Sequence, residues 1–102
     1  MSPRNPLFIE WTTSAWEDLD GIAEYLLSEG VFLDVVETFL TRIFKAPEHL
    51  LATLPGAGKP GRVPGTREWR VKDTTYALIY DVYNGKIRIL RAMHDSRQFP
   101  EQ

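Results

Sequence analysis

The chain has 102 residues, 43% hydrophobic and 25% charged, with no cysteine. That length suits one domain spanning 1–102. The lack of cysteine excludes disulfide frameworks, thiol nucleophiles, iron–sulfur clusters and thiolate zinc sites. The net charge of −2 conceals a division: residues 1–58 hold three cations and nine carboxylates, whereas residues 59–97 hold nine cations and four carboxylates. Two readings stand open, a basic surface meeting an anionic partner or opposite charges pairing within the fold. His49 and His94 are too few and too separated for a metal centre. No apolar run reaches the roughly 20 residues of a membrane span, and the start, MSPRNPLFIEW, lacks a long apolar leader region. A cytoplasmic, soluble protein without metal or cofactor is expected.

Leu7-Phe8-Ile9-Glu10-Trp11 is a short β-prone run, too apolar for a half-exposed strand and so expected to be well covered. Ser14-Ala15-Trp16-Glu17 fits a capping box opening a helix. Trp16, Leu19, Ile22, Ala23 and Leu26 then recur at three- and four-residue steps, with Glu17, Asp18 and Asp20 near the start, where the helix dipole favours anions. Gly30 suits a left-handed stop. A second helical pattern runs through Val35, Val36, Phe39, Leu40, Ile43 and Phe44, and Pro47 predicts a kink or fresh start at Ala46. The two helices form a hairpin with one apolar side, which needs a sheet or another chain to cover it. His49 reads as a residue of a helix face.

Residues 55–65, with four glycines and three prolines, read as a loop. No Gly-Lys-Ser/Thr follows and no helix opens after it, so it is not a phosphate-cradling loop. Three strands are expected beyond it, over 66–71, 76–82 and 86–93. Asn84-Gly85 signals a two-residue hairpin turn. That turn sets Tyr83 opposite Lys86, Val82 opposite Ile87, Asp81 opposite Arg88 and Tyr80 opposite Ile89, the unlike charges supporting the register. Continued outward, it sets Leu78 opposite Arg91 and Tyr76 opposite Met93. The architecture expected is α+β: an N-terminal strand, a helical hairpin, then a three-stranded antiparallel meander, in one mostly antiparallel sheet with helices on one face.

Gly61-Arg62-Val63-Pro64-Gly65-Thr66-Arg67-Glu68, then Thr75-Tyr76-Ala77-Leu78-Ile79-Tyr80, then Ile87-Arg88-Ile89-Leu90-Arg91-Ala92-Met93-His94 with Arg97 after it, resemble in order and spacing the ParE/RelE superfamily of type II toxin–antitoxin toxins. Ser14-Ala15 with Asp18-Leu19, Ile22 and Tyr25 resemble its ParE-type, plasmid-stabilisation branch more closely. The resemblance covers the chain roughly from Ile9 to Pro100. It implies a bacterial growth-inhibiting toxin held in a hetero-oligomer by a cognate antitoxin. The ParE-type branch poisons DNA gyrase without being a nuclease. The RelE-type branch is a ribosome-dependent mRNA endoribonuclease, and a degenerate, non-toxic binding partner is a third possibility.

Cleavage through the 2′-hydroxyl needs a base, an acid and cations around the phosphorane. The resemblance implies that RelE-type toxins carry an arginine in the middle strand where this chain has Ala77, and an alanine holds no phosphate. The overall acidity also suits ribosomal RNA poorly. The ParE-type reading, a gyrase inhibitor rather than an enzyme, is therefore preferred. If the chain is a ribonuclease instead, His94 with Arg91 and Arg97 are the catalytic candidates.

Arg62, Arg67, Arg91, Arg97 and Trp69 are the candidates for contact with target or antitoxin. Each also has a structural reading. Arg67 or Glu68 suits an ion pair at the loop–sheet junction, Arg88 is spent on Asp81, and Trp69 either stacks on a base or packs on the second helix. His94 either holds a strand end or takes part in chemistry. For the antitoxin, strand addition at a sheet edge and a helix in an apolar groove are expected, with charge complementary to the basic second half.

Overall fold

A computed structural model describes residues 5–95. β1 (Phe8–Trp11) leads into two helices, α1 (Thr13–Ser28) and α2 (Leu33–His49). Four strands follow: β2 (Lys59–Pro60), β3 (Arg67–Arg70), β4 (Tyr76–Tyr83) and β5 (Lys86–His94). Among these residues the strands form one five-stranded sheet in the order β1-β5-β4-β3-β2. β1 runs parallel to β5 and the other neighbours are antiparallel. This is the expected α+β architecture. Its departures from expectation are local, and each has a tertiary cause.

α1 begins ahead of the expected capping box. Its N-cap is Thr12, whose hydroxyl accepts from the Ala15 amide at 3.2 Å. The same hydroxyl donates to the Ile89 carbonyl of β5 at 3.0 Å, and the Thr12 amide donates to that carbonyl at 3.1 Å. A cap that also fastens the helix to the sheet satisfies more groups than a local Ser–Glu box. The earlier start leaves no carboxylate in the first turn, so the expected match of acidic residues to the dipole is absent there. At the other end Gly30, at φ +91°, supplies the expected left-handed stop.

α2 does not break at Ala46. Pro47 lies inside it, and the helix continues to His49. Within the last turn a proline sacrifices only one hydrogen bond. Pro47 is buried, and its carbonyl accepts from the Ala52 amide at 3.0 Å. Leu51 and Ala52 then enter the interior from a turn rather than from the helix.

The core lies between the helices and one face of the sheet. Ala15, Leu19 and Ile22 of α1 and Ile43 of α2 cluster with Tyr76, Leu78 and Tyr80 of β4 and Ile87, Ile89 and Ala92 of β5. Burying each large apolar side chain contributes roughly 1.5–3 kcal/mol. β1, expected to be well covered, is an outer strand, and Phe8 is 74% exposed. Trp16 is 47% exposed although its ring packs 5.9 Å from Trp11 and 5.2 Å from Phe44. The exposed apolar side chains Leu27, Phe32, Leu33 and Val35 gather around the helix–helix turn.

The Gly/Pro loop contains one short strand that its composition does not announce: Lys59 and Pro60 pair with Glu68 and Arg67. β3 is shorter at both ends than the expected 66–71, whereas β4 and β5 each run one residue further than expected. The hairpin turn is as expected, with Asn84 at φ 52° and Gly85 at φ +73°. The register holds from Tyr83–Lys86 to Tyr80–Ile89 and then shifts: Ile79 faces Arg91, Leu78 faces Ala92 and Tyr76 faces His94. Leu90 is the extra residue of this bulge. Were Leu90 paired with Ile79 in a regular ladder, Arg91 would oppose Leu78, which is fully buried, and a guanidinium would enter the core. The bulge puts Ala92 there instead and turns Arg91 away.

Candidate functional site

The sheet face away from the core carries the charged side chains. Glu68, Arg70, Ala77, Ile79 and Met93 share it by register. Together with Lys59, Arg62 and His94 they line a depression of about 200 Å³. Ala77 lies in its floor, where the resemblance implies an arginine in an RNA-cleaving relative.

The cations around this face are largely matched to carboxylates. Arg62 lies 3.7 Å from Glu68, whose carboxylate also accepts from the Arg62 amide at 3.2 Å. Arg70 pairs with Asp95. Arg88 grips Asp81 through two bonds of 3.0 and 2.8 Å and lies over the Tyr83 ring at 4.2 Å. The bond to Asp81 raises the pKa of Arg88 still further. Lys86 pairs with Glu10 at 2.7 Å. Of the two readings of the charge division, pairing within the fold accounts for five of the ten cations among the described residues.

The sequence candidates fall in three places. Arg62, Trp69 and His94 line the depression. His94 sits edge-on to Tyr76, ring centroids 5.4 Å apart, with Nδ1 3.8 Å from Asp95. Arg91 leaves this face. β1 ends beside Ile89, so the outer edge of β5 beyond it faces α1. There Arg91 donates to Asp18 at 2.7 and 3.0 Å, and the Ala92 amide donates to the same carboxylate at 2.9 Å. The hydrogen bond to Asp18 raises the pKa of Arg91. Arg67 points to the loop side, where it donates to the Gly58 carbonyl at 2.6 Å. Trp69 packs against the core and lines both the depression and a second groove beside α2. Arg97 lies outside the described residues. His94 and Arg91 adjoin along one strand, but the guanidinium is held by Asp18.

Tyr80 organises the loop end of the site. Its fully buried hydroxyl donates to the Pro55 carbonyl at 2.7 Å and accepts from the Gly58 amide at 3.0 Å. Burial pushes its pKa up, against the opposing pull of the Gly58 bond and of Arg67.

Sequence reasoning missed Asp18 as the partner of Arg91, Asp95 as the partner of Arg70, and the groove cations Arg42, Lys45 and Lys72. The Asp18–Arg91 pair spans 73 positions and leaves no trace in spacing. Arg42 and Lys45 did carry a signal, as the two cations standing three apart on a helix in an otherwise acidic half. Among the described residues no group of three or more His, Asp or Glu side chains could hold a metal ion. No helix among them is long and apolar enough to cross a membrane.

Comparison with known proteins agrees with this layout. Residues 9–99 match the family described as the ParE toxin of the type II toxin–antitoxin system parDE. A protein of Sinorhizobium fredii named as a toxin, Y4kP, is 33% identical over 93 residues, 91% of this chain and 93% of the relative. A chain of the chromosomal ParDE toxin–antitoxin system of P. aeruginosa superposes with a TM-score of 0.74 at 26% identity, covering 86% of this chain and 95% of that one. A chain of the RelBE2 toxin–antitoxin complex of Mycobacterium tuberculosis shares the fold, with a TM-score of 0.62 at 22% identity over 91% of this chain and 95% of its own. On the family match across almost its whole length, the chain belongs to the ParE toxin family of type II toxin–antitoxin systems.

Proposed function

We propose that this ParE-family toxin arrests growth by inhibiting DNA gyrase, is not itself a nuclease, and is neutralised by a cognate antitoxin. The observation that carries the reading is the electrostatics of the open sheet face. Ala77 lies in its depression, and the two arginines that line it, Arg62 and Arg70, are matched to Glu68 and Asp95, leaving Lys59 as the lining cation without an ion pair among the described residues. A site that stabilises a phosphorane needs cations aimed at the phosphate without carboxylates in between. Here a bound phosphate would have to displace the carboxylates first. The partner reading draws support from the P. aeruginosa ParDE system, in which a chain of this fold belongs to a toxin–antitoxin pair. The site candidates Arg62 and Trp69 are then surface for a protein target, and His94 is a structural residue of the strand end rather than a catalytic group.

Induced expression tests this. A gyrase inhibitor stops growth with a DNA-damage response and with cellular mRNAs uncut by primer extension. Codon-spaced mRNA cuts without damage signalling would place the chain with the ribosome-dependent ribonucleases.

A further inference from the structure

A further groove, of about 540 Å³, lies between α1 and the end of β5. β1 ends beside Ile89, so among the described residues no strand covers the outer edge of β5 from Leu90 onward. The Ala92 amide donates outward to Asp18, whereas the Asp95 amide donates inward to the Thr75 carbonyl at 2.7 Å. By the alternation of an antiparallel ladder, the peptide groups of Ala92 and His94 face the groove. An open sheet edge invites pairing with a foreign strand, and folded chains commonly cover it with a segment of their own.

The opposite wall is α1, where Glu17, Gly21 and Tyr25 stand four residues apart on one face. Glycine inside a helix is unfavourable relative to alanine. A Cβ on Gly21 would meet nothing within 4 Å, so packing among the described residues does not call for a glycine. A chain lying close against the helix would. Tyr25 is 58% exposed, and with Ile22 and Tyr76 it gives the groove an apolar stretch. Asp18 is taken by Arg91 and the Ala92 amide, whereas the exposed Glu17 forms no ion pair among the described residues.

From this we infer that residues 96–102 fold back into the groove as a strap, with Phe99 on Ile22 and Tyr25 and Arg97 paired with Glu17. Position, reach and chemistry select this occupant. The described chain ends at Asp95, directly after the groove-lining His94. Seven extended residues span up to about 25 Å, twice the roughly 12 Å that α1 rises between Glu17 and Tyr25. Over 96–102, Arg97 is the one cation and Phe99 the one aromatic side chain, which matches one unmatched carboxylate and one apolar stretch. Arg97 is then held to the fold and is not presented to the target.

Because the chain has no cysteine, Gln102→Cys takes a single nitroxide label. In the purified full-length toxin that label should erase the amide NMR signals of Gly21 and Tyr25. It should leave those of Asn84 and Gly85, at the far end of β5, intact. Gly21→Leu fills the groove from an exposed position, and Glu17→Arg reverses its charge; each should restore the lost signals at an unchanged melting temperature. Adding Arg97→Glu to Glu17→Arg should erase them again, and failure of that swap overturns the pairing of Arg97 with Glu17. Gly21 and Tyr25 signals that persist in the labelled chain overturn the inference, as does their loss in folded Gly21→Leu. The last arm mixes isotope-labelled chains lacking the nitroxide with nitroxide-bearing chains lacking the isotope. Loss of the same signals there gives the groove to a second copy's segment and also overturns the inference.

Discussion

Asp18 is the residue on which the join between α1 and β5 depends. It receives both arms of Arg91 and the Ala92 amide, so Asp18→Asn removes a charge that three donors share. Hydrogen bonds to a charged group contribute more than neutral ones, and the variant should lose about 1–3 kcal/mol in urea denaturation. A loss below about 0.3 kcal/mol would contradict that role. Tyr80 makes a pH-dependent prediction. Its pKa is raised on folding, so its contribution is fully present below the unfolded value of about 10 and is lost as pH rises through the folded value. Stability should therefore fall above about pH 10, and absorbance at 295 nm should show one tyrosine ionising last. Tyr80→Phe should flatten that fall, and should cost about 1–3 kcal/mol at neutral pH by stranding the Pro55 carbonyl and Gly58 amide. Gly58 belongs to the same knot: a Cβ there would lie 2.8 Å from the Tyr80 hydroxyl and 2.9 Å from the Glu68 carbonyl. Gly58→Ala should destabilise by about 1–3 kcal/mol, the usual range for overpacking, and a melting temperature equal to wild type would contradict it.

Among the elements, β4 and β5 show which parts of the fold are legible in sequence. Asn84-Gly85 meets the local demand of a tight turn, two positive φ angles in succession, so the register is readable for the first four pairs. The bulge at Leu90 is not, because its cause is the mismatch between Arg91 and the buried Leu78, a fact about the far side of the strand. Deleting Leu90 removes the unpaired residue and leaves Arg91 opposite Ile79 and Ala92 opposite Leu78 in a plain ladder. The variant should therefore fold with the native hairpin pairing, and loss of native-like hairpin amide exchange in it would refute this account of the bulge. The start of α1 failed for the same reason. Ser14-x-x-Glu17 is a valid local box, but Thr12 also reaches the Ile89 carbonyl. Pro47 shows the converse, a local signal weakened by position, since only the final turn carries its cost. Periodicity located the helices and the buried face of β4. It could not say that β1 lies at an edge with Phe8 in solvent.

At the scale of the molecule, the candidate site was legible in part. Arg62, Trp69 and His94 do converge on one depression. Arg67 and Arg91 lie outside that depression, one bonded to the Gly58 carbonyl and the other to Asp18. Sequence spacing cannot distinguish an arginine aimed at a partner from one held by a carboxylate 73 positions away. The charge division has a similar answer: carboxylates pair with five of the ten cations among the described residues, and Arg42, Lys45, Lys59, Arg67 and Lys72 have no ion pair there. His94, packed edge-on to Tyr76, is expected to be dispensable for toxicity. His94→Ala should arrest growth as wild type does, and a folded but harmless variant would return it to the catalytic candidates. The most direct measurement puts purified, antitoxin-free toxin into a gyrase supercoiling assay, with cleaved plasmid read on the same gel. The account predicts lost supercoiling with cleaved DNA trapped on gyrase, by wild type and His94→Ala alike. Unimpaired gyrase at high toxin excess, with mRNA cut on ribosomes by the same preparation, would contradict it.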